Sequence, residues 1–186
     1  MNVSKLVVAM GLGMALVSGA AMAEDAAPAA PADQGHGTVK FTGSIIDAPC
    51  SIAPGENGEQ VVDLGEVSKK LMENGGTSTP KNFEIKLEQC DISDGKSNVT
   101  ATFTGAASSL NADLLGITGT AKGASIAITD GSGQLIKLGS PSPAQKLQNG
   151  NNTLEFSAYL QGSTTSGTEV VPGSFTSVAD FTLAYQ

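Results

Sequence analysis

Residues 173–186 alternate between two kinds of side chain, and this alternation constrains the fold more than any other feature of the sequence. One phase is mostly apolar and comprises Phe175, Ser177, Ala179, Phe181, Leu183 and Tyr185. Because successive side chains on a strand point to opposite faces, these residues are predicted to form one β-strand with an apolar face. No turn or further strand follows in the sequence, so we expect its neighbour to come from earlier in the chain or from another molecule.

A second stretch near the other end of the sequence, residues 35–41, has a similar alternation. One of its phases holds Gly35, Gly37, Val39 and Phe41, and the other phase is polar. Two glycines in one phase would let this strand lie close against a narrow groove. The residues alone leave two interpretations open: an ordinary first strand of a sandwich, or a strand donated to another molecule.

The residues before this second stretch have the composition of an export signal followed by a linker. Residues 1–23 carry an early Lys5, an apolar run and a small-residue site that ends at Ala23, which predicts a secretory signal peptide cleaved between Ala23 and Glu24. The apolar run is too short to span a bilayer. Residues 24–40 begin rich in alanine and proline and are predicted to form a flexible N-terminal extension.

The remainder of the chain, residues 41–186, reads as several short strands separated by glycine-rich turns, with one helical turn over residues 66–73. Strands are predicted over residues 43–49, 60–65, 83–89, 99–103, 125–129, 135–138 and 154–160. This pattern predicts an all-β sandwich. Cys50 and Cys90 are the two cysteines, and in an exported chain two cysteines are expected to pair.

Three motifs together resemble one known family. They are Gly173 followed by the alternating strand with the penultimate Tyr185, FTGSIIDAPC at residues 41–50, and NFEIKLEQC at residues 82–90. In this order they are similar to pilins of the chaperone–usher, type 1 fimbrial major subunit family, and closest to the major subunits of mannose-resistant Proteus-like fimbriae. The resemblance covers the chain after the leader. It implies an incomplete immunoglobulin-like β-sandwich that lacks its final strand and is completed by a neighbouring subunit.

The resemblance also implies partners and site residues. Residues 24–40 become the donor extension, with Gly35, Gly37, Val39 and Phe41 as the donor strand and residues 41–186 as the pilin domain. The groove strand that meets a chaperone or a donor comprises Gly173, Phe175, Ala179, Phe181, Leu183 and Tyr185. The implied partners are identical subunits arranged head to tail, other pilins of the fibre, a periplasmic chaperone and an outer-membrane usher. The implied location is a fimbria on the bacterial surface, where the fibre supports cell adhesion.

Composition and motifs argue against several other functions. The net charge is −8 and every basic residue is lysine, which disfavours nucleic-acid binding. The sequence holds a single histidine, His36, with no cluster of metal-ligating residue types near it in the sequence, and no catalytic motif, so no metal, cofactor or enzyme activity is expected. The length that remains after the expected signal cleavage, residues 24–186, leads us to expect a shaft subunit and not a tip adhesin with an extra lectin domain. A minor or adaptor pilin and a complete secreted β-sandwich remain the alternatives.

Overall fold

The computed structural model describes residues 35–53 and 59–186. Residues 45–186 belong to one compact unit, and residues 35–44 belong to another. The described part of the larger unit contains one short helix, α1 (Lys69–Met72), which a 3₁₀ turn (Glu73–Gly75) extends. Its strands are β1 (Ser51–Ile52), β2 (Lys81–Cys90), β3 (Asn98–Gly105), β4 (Thr118–Gly119), β5 (Ala124–Asp130), β6 (Leu135–Ile136), β7 (Gln145–Lys146), β8 (Gly150–Gly162), β9 (Phe175–Thr176) and β10 (Ala179–Tyr185).

The strands form two main sheets and a short ribbon. The larger sheet has the order β1-β2-β8-β5-β6, the smaller sheet has the order β10-β3-β7, and β4 pairs with β9. All these pairings are antiparallel. The long strands alternate as expected for two sheets packed face to face, because inward side chains of β2 and β8 are largely buried while their outward neighbours are exposed.

Three phenylalanines join the two sheets at the centre of the core. Phe83 of β2 and Phe156 of β8 stack in the larger sheet with ring centroids 5.6 Å apart. Phe103 of β3 meets Phe156 edge-on from the smaller sheet at 5.1 Å. Such edge-on and offset contacts are the favoured geometries for aromatic pairs. This cluster, surrounded by small and branched side chains, fixes the spacing between the sheets.

The all-β class, the helical turn and the five predicted strands from β2 onward, up to β8, are confirmed, although β6 is shorter than predicted. The predicted disulfide between Cys50 and Cys90 is present, and both cysteines are buried. Within the described residues no helix is long and apolar enough to cross a membrane. The predicted signal peptide, with its cleavage site at Ala23 and Glu24, lies outside the described residues.

Three strand predictions are wrong in part. Residues 43–49 form no regular strand, and the side chains of Ile45 and Ile46 are exposed. Residues 60–65 also form no strand among those described, although Leu64 packs against the core. The single terminal strand is divided into β9 and β10. The common reason is that alternation specifies which face of a segment is apolar, whereas a strand also needs a hydrogen-bonding neighbour.

Candidate functional site: the open edge of the smaller sheet

Strand β10 has a neighbour on one side within the described residues. It pairs with β3 along its whole length, from Ala179 opposite Gly105 to Tyr185 opposite Val99. One position further, Gln186 and Asn98 exchange two backbone hydrogen bonds, each 2.9 Å long. On its other side β10 is the outermost strand of its sheet.

The register determines which backbone groups of β10 are left open. Hydrogen-bonded and non-hydrogen-bonded pairs alternate along an antiparallel ladder. Because Gln186 and Asn98 are a hydrogen-bonded pair, the alternate residues Asp180, Thr182 and Ala184 direct their N–H and C=O groups toward β3. The other side of β3 agrees with this assignment. There, the carbonyl groups of residues 101 and 103 accept from the N–H groups of residues 142 and 139, both at 2.8 Å.

The backbone groups that face away from β3 therefore belong to Ala179, Phe181, Leu183 and Tyr185. The same residues direct their side chains inward, where Ala179, Leu183 and Tyr185 pack against the core but are only partly buried. Phe181 lies opposite the buried Phe103 and is still 38% exposed. We call these outward-facing backbone groups and their partly covered side chains the open edge.

The larger sheet also has an incompletely paired edge. Strand β1 is the outermost strand of that sheet next to β2. Strand β1 pairs only with Leu87 and Glu88 of β2. The Gln60 side-chain amide donates to the Glu84 carbonyl oxygen at 2.8 Å, and the Ala53 N–H donates to the Lys86 carbonyl oxygen at 2.9 Å. Short contacts of this kind replace a continuous strand along β2.

The open edge is apolar enough to affect a titrating group within it. Partial burial raises the pKa of the Tyr185 phenol above its ordinary value of 10.0, because the charged phenolate is disfavoured away from water. Tyr185 therefore stays neutral across the physiological range. Among the described residues no group of three His, Cys, Asp or Glu side chains is placed to hold a metal ion.

Gly173 lies outside the open edge, at a point of close backbone approach. A Cβ atom there would meet the Thr120 side chain and the Ala121 nitrogen. The neighbouring Ser174 N–H donates to the Thr120 Oγ1 at 3.0 Å, and the Thr120 N–H donates to the Ser174 carbonyl oxygen at 3.0 Å. The structure thus gives Gly173 a role in turning the chain toward β9. Phe175 packs against the core from β9, which pairs with β4 and not with β3.

The residues predicted as the donor strand are described in their own unit. Val39 is 73% exposed and Phe41 is 88% exposed. Gly37 has no atom within 4 Å of the position that a Cβ would occupy. Sequence reasoning missed the β4–β9 ribbon, because two-residue strands carry too few side chains to show a period.

Two packed antiparallel sheets with an open edge beside β10 define an incomplete immunoglobulin-like β-sandwich, the fold class predicted from the sequence. The family model described as Fimbrial protein matches residues 39–186, and the chain belongs to this family.

Relatives agree over most or all of the chain. Fimbria A protein of Serratia marcescens is 63% identical over 155 residues, which cover 83% of this chain and 87% of that protein. The Major MR/P fimbria protein of Proteus mirabilis (strain HI4320) is 49% identical over 187 residues, which cover 100% of both. A chain from the structure of a chaperone–usher pilus that reveals the basis of rod uncoiling is 35% identical with a TM-score of 0.71; the match covers 86% of this chain and 100% of that chain. The predicted resemblance to Proteus-type major subunits is confirmed.

Proposed function

We propose that this chain is a major structural subunit of a chaperone–usher fimbria and polymerises by donor-strand exchange into a surface fibre that supports cell adhesion. The observation that carries the proposal is the open edge of β10. There the residues with outward-facing backbone groups are also those with partly covered apolar side chains. Exposing both to water is unfavourable, and a strand from another molecule would satisfy both at once.

The donor strand in this proposal is the segment with Gly35, Gly37, Val39 and Phe41. Its apolar side chains are largely exposed within the chain, so they are available to a neighbouring subunit. Each subunit then offers a donor segment and a separate acceptor edge. Such an interface is heterologous, and repeated copies of it extend into an open filament instead of closing into a dimer.

The proposal includes the steps that precede the fibre. Residues 1–23 act as a signal peptide cleaved between Ala23 and Glu24, residues 24–40 form the donor extension, and residues 41–186 form the pilin domain. A periplasmic chaperone first supplies a strand to the open edge. An outer-membrane usher then exchanges that strand for the extension of the next subunit. The finished fibre lies on the bacterial surface.

A major subunit is favoured over a minor or adaptor pilin by the name of the Proteus relative, whose whole length aligns with this chain. The relatives described above are named as fimbrial proteins and not as enzymes. We accordingly propose no catalytic activity, no cofactor and no nucleic-acid partner for this chain.

The experiment that tests the proposal replaces Gly37 with leucine and measures fibre yield after shearing from the cell surface. Open space surrounds Gly37 in the isolated chain, so the substitution leaves the subunit folded and able to bind its chaperone. In the fibre, the leucine side chain prevents the donor strand from lying close to the open edge. We expect exported subunits without fibres.

The matched control is Thr38→Leu, which adds a similar side chain in the opposite phase of the same segment. This variant is expected to form fibres, because its leucine points away from the groove. A normal fibre yield from Gly37→Leu would contradict the donor assignment. Loss of fibres from both variants would indicate a general sensitivity of the extension and not a strand with one inserted face.

A further inference from the structure

Ser177 lies at the corner where the chain changes partners. The residues before it pair with β4 through β9, and the residues after Val178 pair with β3 through β10. Ser177 belongs to the inward phase, between Phe175 and Ala179, and is partly buried. A hydroxyl group in this position requires a hydrogen-bond partner, because leaving it without one away from water is unfavourable.

The partner is a backbone carbonyl group on a neighbouring loop. The Ser177 Oγ donates to the Gly116 carbonyl oxygen at 2.6 Å. The Gly116 N–H in turn donates to the Ala106 carbonyl oxygen at 2.7 Å. These two hydrogen bonds connect Ser177, two residues before β10, to Ala106, the residue just after β3. Gly116 suits this position, because a Cβ there would lie 3.1 Å from the Ala106 carbonyl oxygen.

The register of β10 depends on such a connection more than the register of an inner strand does. A shift by one residue would turn the inward side chains of β10 out and bring Asp180, Thr182 and Ala184 inward. Burial opposes this shift in proportion to the apolar surface that is covered. In β10 that surface is incompletely covered, since Phe181 remains 38% exposed.

We propose that Ser177 is a positioning residue that fixes the register of β10 before assembly. Its hydroxyl group holds Ala179 opposite Gly105, and this register presents the open backbone groups together with the apolar side chains. The proposed role of Ser177 in fixing the register applies to the isolated chain. The importance of that register for binding an incoming strand rests on the proposed function.

Amide hydrogen exchange at single-residue resolution tests the register directly, using NMR on the monomeric full chain. In the native register the amides of Asp180, Thr182 and Ala184 are protected by β3, and those of Phe181 and Leu183 exchange faster. In Ser177→Ala we expect the ratio between the two sets to fall about fivefold, the effect of losing one hydrogen bond of ordinary net strength. Ser177→Thr, which keeps the hydroxyl group, is expected to restore the ratio.

Two further variants keep the test decisive. Thr176→Ala removes the neighbouring hydroxyl group, which lies near Thr118 Oγ1 in the ribbon, and is expected to leave the ratio unchanged. If Ser177→Ala does not fold, Ser177→Val and Ser177→Thr replace it, because their side chains have equal shape. Only the valine variant should then show the lower exchange ratio. A lower melting temperature with an unchanged ratio would overturn the proposal, because the hydroxyl group would then stabilise the fold without setting the register.

A peptide of residues 24–41 separates this proposal from the proposed function. If the peptide does not bind the wild-type chain while Ser177→Ala still lowers the exchange ratio between the two sets of amides, the register proposal stands and donor-strand exchange is wrong. If the peptide binds wild type and Ser177→Ala at equal rates and both keep the same exchange ratio, donor-strand exchange stands and the register proposal is wrong.

Discussion

Strands β8 and β10 have the same kind of sequence and very different environments. Both alternate an apolar phase with a polar one. In β8, which β2 and β5 flank on both sides, the inward Phe156 is 1% exposed. In β10, which among the described residues pairs with β3 alone, the inward Phe181 is 38% exposed. The difference therefore arises from the number of neighbouring strands and not from the residues themselves.

The exposed part of Phe181 has an energetic consequence. A phenylalanine side chain buries on the order of 200 Å² when fully covered, so covering the remainder would contribute about 2 kcal/mol at the usual coefficient. The backbone N–H and C=O groups of the four open-edge residues add to the free energy of binding, because an incoming strand can form main-chain hydrogen bonds with them. Strand β8 gains the free energy of side-chain burial and backbone pairing when the subunit folds. Strand β10 would gain part of that free energy only when another strand binds beside it.

The largest expected effect comes from truncating the two phenylalanines. Phe156→Ala should lower the free energy of unfolding by about 4 kcal/mol, because it leaves a cavity at the centre of the aromatic cluster. Phe181→Ala should lower the free energy of unfolding by about half as much in the isolated subunit, because its ring is already partly in water. Urea denaturation of the monomeric chain measures both.

When the peptide of residues 24–41 is added, Phe181→Ala should lower the free energy of unfolding by more than it does in the isolated chain. The loss caused by Phe156→Ala should stay nearly unchanged. The peptide would cover the Phe181 ring in the wild-type chain, and the alanine variant would lose that coverage. Equal costs for the two substitutions in the isolated chain would mean that β10 is as well covered as β8. The distinction between the two strands would then be wrong.

An effect of similar size is expected from removing the disulfide bond. Cys50 precedes β1 and Cys90 ends β2, so the bridge holds together the short β1–β2 ladder at one edge of the larger sheet. The two cysteines are 40 residues apart, and opening a loop of that size should lower the free energy of unfolding by about 4 kcal/mol on the chain-entropy model.

Urea denaturation of the Cys50→Ala/Cys90→Ala variant measures this loss, with the reduced wild-type chain as the control for the altered side chains. The peptide of residues 24–41 should recover part of the lost stability, because a ligand that binds only the folded state stabilises it. A change below about 1 kcal/mol would indicate that the core holds this side of the sheet without the bridge.

Much of the fold could be predicted because the inner strands obey two rules at once. Ile85, Leu87, Leu154 and Phe156 alternate with polar residues and also have neighbouring strands to pair with. Ala179, Leu183 and Tyr185, which share one phase of the terminal strand, pack against the core, as the alternation predicts. The disulfide bond followed from the export signal and the presence of two cysteines.

The incorrect strand predictions concern segments whose side chains alternate but whose backbone does not pair with a neighbouring strand. Ile45 and Ile46 lie in a segment predicted as a strand, yet that segment has no ladder in the isolated chain. Ser177 is a polar residue within the mostly apolar phase, and its hydrogen bond to Gly116 is a contact between residues 61 apart in sequence. No local pattern encodes such a contact. The sequence pattern of residues 173–186 therefore does not predict the interruption between β9 and β10.

The smallest predicted effect concerns the ionisation of Tyr185. Its folded-state pKa lies above the ordinary value of 10.0, so the associated stability is present below pH 10 and is lost as the pH rises through the folded-state pKa. A donor strand would cover the phenol further and disfavour the phenolate more strongly. We therefore expect the pKa of Tyr185 to rise again when the peptide of residues 24–41 binds, and peptide affinity to fall above pH 10.

Ultraviolet titration of the phenolate in the Gly37→Leu chain measures this shift, because that variant presents an open edge without assembling. Tyr185→Phe identifies the signal, since Tyr159 is the other tyrosine in the sequence. The absence of any response from Tyr185 would contradict binding of the peptide at the open edge. A response from Tyr185 alone would place it at the open edge, where the neighbour that β8 already has is missing.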